Sequence, residues 1–182
     1  MFVWTDIDTT GLDTSRDAIL VIGMIITDNA FVECARREWL VGGTSVEALA
    51  RMQPYVRDMH TKSGLLQRLA DRTLPCASEV YQQVDDWLEP HVRGQDPKPV
   101  MAGNSVHFER RFLAAQMPNL LDLLHYRLLD VSSLKVLCLA TVPGAQAWED
   151  ARKPAAHTTP LTHLEGSMLE LAHWRKVLAD RA

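Results

Sequence analysis

Two periods of apolar and polar positions run along this chain, and the places where one gives way to the other mark its elements. Phe2, Val3, Trp4 and Ile7 make the opening extended and apolar, and Gly11 ends it in a turn. A polar turn over 13–17 leads into 18–27, an almost unbroken apolar run rich in β-branched residues. Its length and the Asp28-Asn29 turn behind it predict a central strand rather than a helix. Residues 31–40 return as a more polar third strand. Three strands joined by tight turns make an antiparallel meander, which needs helices over its apolar faces.

From 45 to about 70 the spacing is helical but interrupted. Val46, Leu49, Ala50 and Met52 share a face, Pro54 breaks it, a second segment covers 55–59, and Ser63-Gly64 interrupts again before Leu65, Leu66 and Leu69. A longer amphipathic helix is predicted over 77–92, where Val80, Val84, Trp87 and Leu88 recur after the Pro75 boundary. After a polar loop at 94–99, the short apolar stretch 100–102 suits a parallel strand delivering Gly103-Asn104-Ser105 to the end of the sheet that carries Asp6. Residues 108–117 read as a helix with Phe108, Phe112, Leu113 and Met117 inward, which puts Glu109 in the first turn, where the helix dipole favours an acid. A strand over 126–131 follows, with Ser132 placed to cap a helix to about 140. Pro143, Gly144, Pro154 and Pro160 make 141–160 a mobile loop, and 161–182 close the chain as a helix carrying Leu164, Met168, Leu169, Leu171, Ala172 and Val177.

Composition narrows the class without choosing a function. With 182 residues, 47% hydrophobic and 23% charged, the chain suits a single domain with one sizeable core. Cys34, Cys76 and Cys138 are far apart and lack metal-ligand spacing, so they read as reduced, buried thiols of a cytoplasmic protein. No charged and apolar leader pattern opens the chain, and no apolar run approaches the ~18 residues of a membrane span. A net charge of −4 argues against coating long nucleic acid electrostatically, yet leaves room for a short oligonucleotide held by a metal and a few donors.

The chemistry begins at Asp6 and Asp8, which as i and i+2 of a strand share one face. Like charges so placed repel. They either decorate an exposed strand end or hold one hard cation together.

The stretch Asp6-Ile7-Asp8-Thr9-Thr10-Gly11-Leu12 resembles the first motif of the DEDD superfamily of 3′–5′ exonucleases. The run from Gly103 through His107, Glu109 and Arg110 to Phe112, and the run His125-Tyr126-Arg127-Leu128-Leu129-Asp130-Val131-Ser132-Ser133, are similar to later landmarks of its oligoribonuclease branch. Met59-His60-Thr61-Lys62-Ser63-Gly64-Leu65 and Ser167-Met168-Leu169-Glu170-Leu171-Ala172 complete the likeness in family order. The resemblance implies an α/β, ribonuclease H-like mixed sheet, an antiparallel three-strand meander plus parallel strands, flanked by helices. It implies 3′–5′ hydrolysis of very short oligoribonucleotides by two divalent ions, Mg²⁺ or Mn²⁺. The alternative it leaves is an inactive relative that binds short oligonucleotides or nucleotide messengers.

In the family pattern the metal ligands are Asp then Glu in the first motif, Asp in the second and Asp in the last helix, with a general-base His five positions before the last. Here the matching residues are Asp6, Asp8 in place of Glu, and Glu109 in place of Asp. Taking His157 as the base puts Thr162 at the final acid; registering on the last helix puts His163 there and Thr158 at the base. Glu165 lies about 200° around the helix from His163 and does not substitute for it. The same resemblance sets Ser105, Arg127, Ser132 and Ser133 around the 5′ phosphate of a short single-stranded RNA, with Leu12 and Tyr126 stacking on its bases. The tyrosine comes from a second subunit in the family, which implies a homodimer.

Overall fold

The computed structural model describes residues 1–151 and 159–179. Strand β1 (Phe2–Thr9) pairs antiparallel with β2 (Ile19–Thr27), and β2 with β3 (Glu33–Leu40). On the other side of β1, β4 (Val100–Gly103) runs parallel to it, and β5 (Leu128–Asp130) parallel to β4. The sheet order is β3-β2-β1-β4-β5. Every residue of β2 is buried, as its unbroken apolar run requires, whereas β3 is largely solvated at the edge.

Helices follow as α1 (Val46–Ala50), α2 (Pro54–Lys62), α3 (Leu65–Arg68), α4 (Ala77–Val92), α5 (His107–Gln116), α6 (Pro118–Asp122), α7 (Val131–Thr141), α8 (Ala145–Ala151) and α9 (Pro160–Ala179). The alternation of a strand divides them between the two faces of the sheet. Val3, Ile22, Met24 and Ile26 pack against Val80, Val84 and Leu88 of α4 and against Phe112 and Leu113 of α5. Trp4, Ile25 and Ala102 face the other way, onto Val131 and Cys138 of α7 and Leu164, Leu171 and Trp174 of α9. The Trp4 indole N–H also donates to Thr27 Oγ1 at 3.1 Å, which pairs its polar edge inside the core. Trp4, Asp6 and Asp8 alternate onto one face of β1 and so share the side that α7 and α9 cover.

Several expectations change. The break expected at Pro54 falls just before it, and Pro54 itself opens α2, because its fixed φ and missing N–H suit a first helical position. The cap of α7 is Asp130, not Ser132: its carboxylate accepts the Ser132 N–H, and the strand before it shortens to Leu128–Asp130. The loop expected over 141–160 contains α8, where Trp148 stacks on His173 of α9 with ring centroids 3.6 Å apart. Of the three thiols only Cys138 is buried; Cys34 sits on the solvated edge strand and Cys76 just before α4, both exposed. Among the described residues no helix is long and apolar enough to cross a membrane.

Candidate active site

Gly23 decides how closely α9 approaches Asp6. It is Asp6's partner across the β1–β2 pair, and a Cβ built on it would lie 2.6 Å from the Pro160 Cβ and 3.2 Å from the Leu161 N. The bare backbone therefore lets the start of α9 rest on β2, and one turn later His163 reaches over to Asp6. Its Nδ1 stands 3.1 Å from Asp6 Oδ2, with about a fifth of each side chain exposed. Burial raises the Asp6 carboxyl above its ordinary range, against the lowering effect of the His163 hydrogen bond. Burial alone would depress His163, but the hydrogen bond to Asp6 and the charges of Asp6 and Asp8 outweigh it and hold the imidazole above its usual value.

Strand β4 delivers the second group of side chains beside the first, since it is parallel to β1 and hydrogen-bonded to it. Gly103 ends it with room for the Thr5 carbonyl, which an added Cβ would meet at 3.1 Å. The chain then enters α5, whose Glu109 is only 5% exposed. Its Oε2 is buried without a hydrogen-bond partner. Burial first, then the charges of Asp6 and Asp130, push the Glu109 carboxyl up to about 9. A buried carboxylate oxygen with no donor, facing other carboxylates, is a position that a cation would satisfy. Among the described residues no three His, Cys, Asp or Glu side chains converge tightly enough to grip an ion in this arrangement. The donors on hand for a hard divalent ion are Asp6, Asp8 and Glu109, the oxygen chemistry that Mg²⁺ and Mn²⁺ prefer. From α9, the His163 imidazole meets Asp6.

Past the ends of β4 and β5 the hydroxyl groups gather around Asp130. Its Oδ1 accepts the N–H of Ser105 at 2.9 Å and that of Ser132 at 3.0 Å, and its Oδ2 accepts the Ser133 hydroxyl at 3.0 Å. Ser105 Oγ donates to Ser132 Oγ at 3.2 Å. Arg127 is exposed, with its guanidinium carbon 5.4 Å from the centre of the Tyr126 ring, and Tyr126 is 70% exposed. Tyr126 is thus a surface residue outside the core. Leu12 is also exposed, on the wall of a cavity of about 490 Å³ that Gly11, Arg16, Arg51 and Tyr55 line with it.

The exonuclease family model matches residues 3–157. Curated relatives named oligoribonuclease include one from Xanthomonas campestris, 36% identical over 97% of this chain and 88% of its own length. Others come from Cutibacterium acnes and Tropheryma whipplei, each 34% identical, covering 98% and 96% of this chain and 86% and 91% of theirs. The chain belongs to the exonuclease family. Solved structures agree on the ribonuclease H-like fold. The nuclease domain of 3′hExo, a DEDDh family member bound to rAMP, superposes with a TM-score of 0.60 at 14% identity, over 98% of this chain and 92% of its own. E. coli exonuclease I reaches 0.56 at 17% identity, over 97% of this chain and 40% of its own.

In this exonuclease Asp6, Asp8, Glu109 and His163 stand near one another, and Ser105, Ser132 and Ser133 gather around Asp130, whose charge acts on Glu109. His157 lies outside the described residues. Thr162, the other candidate for the last position, turns its hydroxyl to the Thr159 carbonyl at 2.8 Å. Three residues at the site escaped the sequence reading. Asp130 was hidden by the serines behind it, which are equally good local caps. Glu170, buried on α9, accepts from Asn104 Nδ2 at 3.1 Å and from the Trp174 indole at 3.3 Å, tying α9 to the loop after β4. A lone acid on the apolar face of the last helix was its signal. Tyr55 is 77% exposed although it follows an apolar pattern, and only the shared cavity connects it with Leu12.

Proposed function

We propose that this exonuclease shortens very short single-stranded RNAs from the 3′ end by hydrolysing their phosphodiester bonds, acting as a single cytoplasmic domain that pairs into a homodimer. The observation that carries this reading is that, in a member of this family, Asp6, Asp8 and Glu109 stand near one another and Asp130, the centre of the Ser105, Ser132 and Ser133 group, is close enough for its charge to act on Glu109. A bond to be cut and a terminal phosphate belong at these two neighbouring groups.

Asp6, Asp8 and Glu109 would hold Mg²⁺ or Mn²⁺, which when bound supplies Lewis-acid activation of water and of the phosphoryl oxygen. His163 orients the Asp6 carboxylate from α9. Ser105, Ser132 and Arg127 offer donors to a phosphate, the guanidinium as a fork that matches its oxygens. Leu12 and Tyr55 present an apolar edge and a π-face on which any base can stack, a sequence-tolerant mode suited to short single strands. Tyr126, large, aromatic and exposed beside Arg127, supports the homodimer, because a second subunit would cover it.

Incubation of a 5′-phosphorylated diribonucleotide with Mn²⁺ or Mg²⁺, with the products separated by chromatography, tests the reading. Mononucleotides are expected, with longer RNAs cut more slowly. No cleavage with either ion, alongside retained binding of the dinucleotide, would make the protein an inactive oligonucleotide-binding relative.

A further inference from the structure

Asp130 sits where a phosphate site would least welcome an anion, among Ser105, Ser132 and Ser133. Its side-chain hydrogen bonds nevertheless serve that site. Ser105 has φ +53°, a left-handed conformation that a residue with a side chain rarely adopts and that surrounding bonds must hold in place. The bond that holds it is its N–H to Asp130 Oδ1 at 2.9 Å, and the same oxygen takes the Ser132 N–H at the start of α7. One carboxylate oxygen thus locks the loop after β4 to the helix after β5. With that lock closed, the Ser105 and Ser132 hydroxyls are 3.2 Å apart. One proton joins them and the other remains to be offered outward. The second oxygen, Oδ2, accepts the Ser133 hydroxyl. A hydroxyl has one proton to donate, so Ser133 gives Asp130 the proton that a phosphate would need.

We propose that Asp130 is a positioning residue for the terminal phosphate of the substrate: it presets the Ser105 and Ser132 pair and withdraws Ser133 from direct donation. This rests on the reading of the cleft as a site for 5′-phosphorylated RNA. The phosphate is then bound by the Ser132 hydroxyl proton that the pair leaves free, and by Arg127. Ser133 acts only through Asp130. The arrangement makes an unusual demand on substitution. An asparagine at 130 keeps one oxygen for both N–H groups, and its amide can donate to Ser133, turning that hydroxyl proton outward. An alanine keeps nothing.

Dissociation constants for a 5′-phosphorylated and a 5′-hydroxyl diribonucleotide, measured in EDTA so that no cleavage intervenes, test the proposal. Thermal unfolding runs on the same samples. Asp130→Ala is expected to cut the preference for the phosphorylated ligand by about tenfold, the size of a lost charge-assisted hydrogen bond set, while hardly changing affinity for the hydroxyl ligand. Asp130→Asn should restore the preference to within about threefold of the parent, or exceed it. Equal losses for both ligands in Asp130→Ala would show a merely structural role, and an Asp130→Asn as poor as the alanine variant would show that charge rather than geometry matters; either overturns the inference. A parent that cleaves short RNA but shows no phosphate preference overturns it too and leaves the function standing. The expected binding pattern in a protein that cleaves nothing would do the reverse.

Discussion

Gly23 and Pro160 are in contact through the absence of a side chain: a Cβ on Gly23 would come within 2.6 Å of the Pro160 Cβ. Gly23→Ala should therefore push the start of α9 off the sheet and carry His163 away from Asp6. Overpacking of this kind costs about 1–3 kcal/mol. The unfolding midpoint should fall, and the His163 imidazole, followed by NMR titration, should drop back toward an ordinary histidine value. An unmoved imidazole would mean that α9 is placed by its other contacts.

Glu109 sets a pH dependence whose sign runs against common experience. In the fold its carboxyl keeps its proton up to about pH 9, whereas in the unfolded chain it loses it near pH ~4.3. Between those values the folded protein binds more protons, so metal-free stability falls as pH rises, by up to about 1.4 kcal/mol per pH unit from this group. The raised values of Asp6 and His163 act in the same direction. Denaturant melts from pH 5 to 9 should show the slope, and Glu109→Gln should flatten it. A divalent ion needs the ionised form, so calorimetry in buffers of different ionisation enthalpy should detect proton release on Mn²⁺ binding near neutral pH.

Restoring the acids of the family pattern is the sharpest test of site placement. Asp8→Glu, Glu109→Asp and His163→Asp in one variant should bind more Mn²⁺ per chain, by calorimetry, than the parent and cleave a dinucleotide faster. The three changes share one cleft and are not expected to add. In the parent, Mn²⁺ should serve at least as well as Mg²⁺, whose demand for near-ideal octahedral geometry is stricter. Unchanged stoichiometry and rate in a folded variant would remove His163 from the metal end.

Tyr55→Ala and Tyr126→Ala should each weaken dinucleotide binding by about 1–3 kcal/mol, the usual worth of one stacked base. Both rings are largely exposed, at 77% and 70%, so unfolding should change by no more than ~0.5 kcal/mol. If Tyr126 serves a partner's cleft, its variant should also shift mass in light scattering toward the monomer. Lost affinity without that shift would keep Tyr126 within its own subunit.

The sheet and the acids were legible for a simple reason. Period-two alternation puts Trp4, Asp6 and Asp8 on one face whatever surrounds them, and the unbroken apolar run of β2 admits only a central position. The rest depends on contacts distant in sequence. Nothing local separates Asp130 from Ser132 as a cap; the choice is made by the Ser105 N–H, 25 positions away. The helix position of Glu109 is equally that of an exposed first-turn acid complementing a dipole, and only the packing of the folded chain shows that it is buried. The sequence left two registers open for the last helix; in the fold it is His163, not Thr162, that meets Asp6, over the bare backbone of Gly23.

The bond between Asp6 and His163 joins side chains 157 positions apart. During synthesis the first strand waits for nearly the whole chain before the imidazole that orients its carboxylate has been made. The sheet can begin to form as β1, β2 and β3 emerge, but this end of the cleft is assembled last. A nascent chain still lacking α9 is thus without the Asp6–His163 contact while the messenger that encodes it is being read.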